Sequence, residues 1–189
     1  MVKMNLPNKL TLSRLFLIPF IIWLIYIDNI VAAYSALVLF IIAMLTDVLD
    51  GAIAKKRNIE TFFGKFLDPV TDKILILSIF IVFADKGWVP AWIVIVLLAR
   101  ELIVSGLRSA ASAQGKIIGA NWMGKIKAFT QTIIIALALF LNGLKYSFYS
   151  MEEIIAPVIT GLTLLMVSMA IVFLFIFSYW NRKLIFLEM

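Results

Sequence analysis

The chain has 189 residues, of which 63% are hydrophobic, and a mean hydropathy of +1.07. A soluble domain is roughly half apolar, so this composition leaves too few polar residues to cover a water-soluble core and points to helices immersed in lipid. There is no cysteine and no histidine. Disulfides, thiolate sites and imidazole bases are thereby excluded, and any metal or acid/base chemistry falls to carboxylates, Lys/Arg, tyrosines or hydroxyls; carboxylates suit hard cations such as Mg2+ or Mn2+. The net charge is +6. The basic residues border apolar stretches, which fits anionic lipid and membrane orientation and argues against nucleic acid.

Six apolar segments follow in chain order, at about Leu10–Ile27, Val31–Ala54, Pro69–Ala84, Pro90–Ser112, Ile126–Asn142 and Ile154–Tyr179. Each approaches the ~20 residues that cross the hydrocarbon core, with the third and fifth short. The first lacks a small-residue cleavage pattern and reads as a span rather than a cleaved leader. Lys3, Lys9 and Arg14 precede or open the first segment. Lys55, Lys56, Arg57 and Lys65 follow the second, Arg108, Lys116, Lys125 and Lys127 lie between the fourth and fifth, and Arg182 and Lys183 follow the sixth. The opposite side has Lys86 and Lys145. Thirteen basic residues against two predict both termini in the cytoplasm. The expectation is an all-α polytopic membrane protein with six transmembrane helices and a single domain over residues 1–189. Trp88, Trp92, Tyr149 and Trp180, near the span ends, read as an aromatic belt.

The stretch from Thr46 to Lys73 breaks the apolar pattern with four aspartates. Asp47 and Asp50 are three residues apart and share a helical face; Asp68 and Asp72, four apart, do the same. A short connection lets the two helices run antiparallel with these faces opposed. Four carboxylates at close range in a poorly solvated place repel one another unless a cation lies between them, so the pattern predicts one or two divalent ions. Gly51, Ala54 and Gly64 lie beside the acidic faces and leave room for a ligand near the backbone. A single aspartate at a helix end is most simply an interfacial residue paired with Lys55, Lys56, Arg57 or Lys73. Four on matched faces weigh towards function, because acids within the membrane are costly.

The segment Asp47-Val48-Leu49-Asp50-Gly51-Ala52-Ile53-Ala54-Lys55, with Gly64, Asp68 and Asp72 at their spacings, resembles the CDP-alcohol phosphatidyltransferase family. That family carries D-x-x-D-G-x-x-A-R followed after eight residues by G-x-x-x-D-x-x-x-D. Every spacing is kept; Lys55 stands where the family usually has arginine, so the charge stays and the bidentate fork is lost. The resemblance implies six transmembrane helices, a homodimer and two metal ions, Mg2+ or Mn2+. It further implies that Asp47, Asp50, Asp68 and Asp72 bind metal, that Asp72 is also the general base, and that Asp47, Asp50, Gly51, Ala54, Lys55, Gly64 and Asp68 border a cytidine nucleotide.

Asn5–Arg14, Ala99–Arg108 and Gly124–Lys127 resemble the branch of the family that moves a phosphatidyl group from CDP-diacylglycerol to glycerol 3-phosphate. A phosphorylated acceptor needs Arg or Lys. Arg108, Lys125 and Lys127 are the candidates at the cytoplasmic ends of the fourth and fifth segments, although positive-inside topology explains Lys125 and Lys127 equally well. Arg100 lies about two turns deeper. It could reach the pocket or pair with an acid of the core; Glu101, its neighbour in sequence, is not expected to face it. Asn8, Thr11 and Arg14 could reach the donor's phosphates, or cap a helix and meet lipid. The resemblance implies attack of the acceptor's primary hydroxyl on the lipid-side phosphorus, with CMP leaving. Sister acceptors are inositol phosphate and phosphatidylglycerol; serine, without a phosphate, fits the basic residues less well. From another class, a cation transporter would also place acids in the membrane, but it predicts two related halves with broken helices, which the sequence does not show.

Overall fold

The computed structural model describes residues 6–57, 62–113, 122–148 and 151–180. They form six helices: α1 (Leu6–Tyr26), α2 (Ile30–Arg57), α3 (Phe62–Asp85), α4 (Ala91–Ala113), α5 (Trp122–Leu144) and α6 (Met151–Trp180). No strand occurs among the described residues. The all-helical expectation agrees with this.

Three helices contain stretches long and apolar enough to cross a membrane: Ile30–Asp47 in α2, Gly124–Leu144 in α5 and Glu153–Tyr179 in α6. Leu10–Tyr26 in α1 is a shorter apolar run. In α3 and α4 the apolar pattern is interrupted by Asp68, Asp72 and Lys73, and by Arg100, Glu101 and Arg108. The third helix also starts well before Pro69, the expected start of its apolar run, and carries that proline inside it. Proline at this position forfeits one hydrogen bond to the carbonyl four residues back, while its fixed φ stays helical, so the first turns of α3 persist.

Local chemistry explains the connections. Asn29 caps α2: its Oδ1 accepts from the Val31 N–H at 2.7 Å and its carbonyl from the Ala33 N–H at 3.0 Å. Gly87 ends α3 in a left-handed conformation, φ +71°. The Trp88 N–H donates to the Phe83 carbonyl at 2.9 Å and the Gly87 N–H to the Ala84 carbonyl at 3.0 Å. The Phe83 and Trp88 rings meet with centroids 5.2 Å apart. These are the two bonds and the apolar contact of a Schellman cap.

By packing, the chain divides into two compact units, Met1–Val82 with Ile135–Ile155, and Phe83–Ile134 with Ala156–Met189. In the first, α1 packs along α2. Ile18, Ile21 and Ile25 of α1 and Ala33, Ala36, Phe40 and Ala43 of α2 are all buried. The alanines let the two helix axes approach closely. On the other side of α1, Phe16, Phe20 and Trp23 are exposed at helical spacing, as lipid-facing residues would be. In the second unit, Ile93 and Leu97 of α4 and Ile159, Met166, Ala170 and Phe177 of α6 are buried. Thr160 of α6 donates to the Trp88 carbonyl at 2.8 Å, tying α6 to the turn after α3.

Candidate functional site

The polar cluster of the first unit grows out of its apolar stripes. On α1 the buried residues run Thr11, Arg14, Ile18, Ile21, Ile25, with steps of three and four. On α2, Ala33, Ala36, Phe40 and Ala43 lead at the same steps to Asp47; on α3, Ile79, Leu75, Asp72 and Asp68 form the same kind of row. Each helix therefore presents an apolar stripe whose far end turns polar, and packing the stripes brings those ends together. Thr71, also wholly buried, lies beside Asp72 in sequence.

Arg14 is the centre of the cluster. Its side chain is 0% exposed. Its Nη1 donates to Asp47 Oδ1 at 2.6 Å and to Asp72 Oδ1, and lies 3.7 Å from Asp68 Oδ1. Thr11 adds a hydrogen bond to Asp68. The carboxylates keep 23–38% of their side-chain surface while the guanidinium keeps none, so the open side of the cluster is the carboxylate side. One ligand oxygen from each of Asp47, Asp68 and Asp72 fits within a 4.8 Å set. Asp68 Oδ1 is buried and has no hydrogen-bond partner among the described residues. An all-oxygen donor set with a buried, unsatisfied carboxylate oxygen fits a hard divalent cation.

Asp50, Gly51, Ala54 and Lys55 lie on α2, and Asn8 on α1, with side chains outside the described ones. Gly64 lies one turn before Asp68 on α3 and is half-buried. The structure thus brings together three of the four predicted aspartates, and gives Thr11 and Arg14 carboxylate partners where donor phosphates or lipid were expected.

The basic candidates belong to the second unit. Lys127 is buried and forms an ion pair with Glu101. Arg100 pairs with the same carboxylate at 3.1 Å, which corrects the expectation that neighbours in sequence do not meet: both side chains are long enough to bend around the helix. Arg108 lies over the Phe177 ring, 5.9 Å from its centroid, and its buried Nε has no hydrogen-bond partner among the described residues. Its Nη2 sits 4.0 Å from where a Cβ on Gly124 would stand. Lys125 is exposed.

The CDP-alcohol phosphatidyltransferase family model matches residues 4–174, nearly the whole described chain. The chain belongs to the CDP-alcohol phosphatidyltransferase family. Three curated relatives carry the name CDP-diacylglycerol--glycerol-3-phosphate 3-phosphatidyltransferase. That of Bacillus subtilis (strain 168) is 43% identical, over 77% of this chain and 81% of its own length. That of Rickettsia typhi is 38% identical, over 82% and 86%, and that of Escherichia coli (strain K12) 36%, over 72% and 77%. As a CDP-alcohol phosphatidyltransferase the chain is an enzyme of phospholipid biosynthesis, and its apolar helices make it an integral membrane protein. The part of its site that sequence reasoning missed is the partnership of Arg14 with the aspartates. Arg14 shares a face with Ile21, seven residues on, but a helix apolar on every side does not show in sequence which face is buried.

Proposed function

We infer that this phosphatidyltransferase moves the phosphatidyl group of CDP-diacylglycerol to sn-glycerol 3-phosphate, giving phosphatidylglycerophosphate and CMP. One observation carries the choice of substrates: relatives from three bacterial genera, aligned over 72–82% of this chain, bear a name that states both. The carboxylate cluster supports the chemistry. Asp47, Asp50, Asp68 and Asp72 would hold Mg2+ or Mn2+, two ions in this reading, and such ions neutralise charge on a diphosphate.

The chain's own groups do the rest. Asp72 accepts the proton of the acceptor's primary hydroxyl. The freed oxygen bonds to the phosphatidyl phosphorus as the phosphorus–oxygen bond to CMP breaks. Asp47, Asp50, Asp68, Gly51, Ala54, Lys55 and Gly64 border the nucleotide. Arg108, with a buried nitrogen lacking a partner among the described residues, is the leading ligand for the acceptor phosphate, and exposed Lys125 is the next. Lys127 and Arg100 are engaged by Glu101, which leaves them behind Arg108 and Lys125 as candidates. Asn8 is the remaining α1 candidate for the donor's phosphates.

All six helices span the membrane in this reading, with both termini and the active site on the cytoplasmic side of a bacterial cell membrane, and the protein works as a homodimer. The test is CMP release by purified protein in micelles, with glycerol 3-phosphate, inositol phosphate, phosphatidylglycerol and serine offered separately. Glycerol 3-phosphate alone should support release. Release with a different acceptor only would reassign the enzyme within its family, and no release with any would defeat the reading.

A further inference from the structure

Arg14 is chemically out of place if its purpose is to stabilise an apolar core. A guanidinium with no exposed surface needs compensation, and it finds it in the carboxylates that also form the candidate cation site. Nη1 points at one oxygen each of Asp47 and Asp72 and lies 3.7 Å from Asp68 Oδ1. A guanidinium does not lose its proton in proteins, so this charge is permanent. Any second cation entering the cluster meets it at close range and shares its oxygens. Resting on the reading that these aspartates bind a divalent ion, we propose that Arg14 is a built-in counter-cation of the cluster. It competes with the divalent ion, so setting its affinity, and it holds α1 against α2 and α3 when the ion is absent.

This is a positioning role with a definite sign. A residue that merely shaped a metal site would weaken cation binding when removed; a competing charge strengthens it. Wild type, Arg14→Gln and Arg14→Lys are compared in micelles without substrate, by Mn2+ binding read from the paramagnetic resonance of free Mn2+ and by thermal unfolding in chelator and in saturating Mn2+. Arg14→Gln should bind Mn2+ about tenfold more tightly or better, because one charge at contact distance is gone. Arg14→Lys, which keeps the charge, should stay within about threefold of wild type. In chelator Arg14→Gln should unfold at a lower temperature, and Mn2+ should raise its Tm by more than it raises that of wild type.

Unchanged or weaker Mn2+ binding by Arg14→Gln overturns the proposal, as does an equal gain in Arg14→Lys. If Arg14→Gln folds only with Mn2+, the ion is replacing the guanidinium and the proposal stands; failure to fold even then overturns it. A wild type that binds no Mn2+, indistinguishable from Asp68→Asn, removes the metal reading and this proposal with it. A wild type that binds Mn2+ while Arg14→Gln leaves the Kd unchanged removes this proposal alone.

Discussion

At Asp68 a buried carboxylate oxygen, 3.7 Å from the Arg14 guanidinium, lacks a hydrogen-bond partner among the described residues and sits beside two other acids, as a cation ligand would. Asp68→Asn keeps the shape and removes the charge. Turnover measured by CMP release should fall by more than the ~10–100-fold typical of outer-shell changes at metal sites, with the protein still folded. Near-normal activity, or full activity after exhaustive chelation, would remove the cation from the mechanism. Arg108 gives a second test. Arg108→Ala loses a charge-assisted contact worth ~1.5–3 kcal/mol, so the KM for glycerol 3-phosphate should rise roughly 10–100-fold while that for CDP-diacylglycerol moves far less. Arg108→Lys should recover part of the loss, and an equal loss for both substrates would make Arg108 a general support. The aspartates were legible in the sequence because acids stand out against an apolar run. The partners of Arg14 were not: they lie 33 and 58 residues away, and a helix apolar on every side conceals which face is buried.

Packing of the elements makes separate demands. A Cβ on Gly143 of α5 would stand 2.7 Å from Cε1 and Cζ of Tyr34 on α2, so the ring must move, although it also packs on Phe140 with centroids 6.3 Å apart. Gly143→Ala should cost about 1–3 kcal/mol through overpacking, seen as a lower Tm in micelles. Tyr34→Leu should relieve it, and an unchanged Tm in Gly143→Ala would mean the helices separate without cost. In the second unit, Glu101→Gln strands Lys127 and Arg100, both mostly buried, without their carboxylate. The expected loss is about 3–5 kcal/mol by thermal unfolding, with Glu101→Leu/Lys127→Met recovering part of it. If that double variant instead loses affinity for glycerol 3-phosphate, Lys127 belongs to the acceptor site after all. Hydropathy located all six elements because long apolar runs have few alternatives to helix in lipid. It misplaced the start of α3, since Lys65, Asp68 and Pro69 interrupt the apolar run while the helix continues through them. Gly87, with Pro90 close behind it, closes α3 in a Schellman cap.

The number of spans is where the whole molecule is least determined by apolarity, because charged residues interrupt the apolar pattern of α3 and α4. Three helices qualify on length and composition; α1 has a shorter apolar run, and α3 and α4 do not qualify. The argument for six rests on the sequence positions of the basic residues: if all six helices cross, thirteen fall on one side and two, Lys86 and Lys145, on the other. Lys145 lies 3.7 Å from Asp28 and over the Tyr146 ring. The chain has no cysteine, so single cysteines report without background. Cysteine at Arg57 or Lys116 should react with an impermeant maleimide only after the cytoplasmic face is opened, and cysteine at Lys86 or Lys145 should react in intact cells. Lys86 is the better outer reporter, because replacing Lys145 also removes the Asp28 contact. If Arg57 and Lys116 label from opposite sides, α3 and α4 do not both cross, and the second basic loop leaves the side of the aspartates. If both label from outside, the carboxylate cluster faces away from cytoplasmic glycerol 3-phosphate, and the proposed reaction loses access to its acceptor.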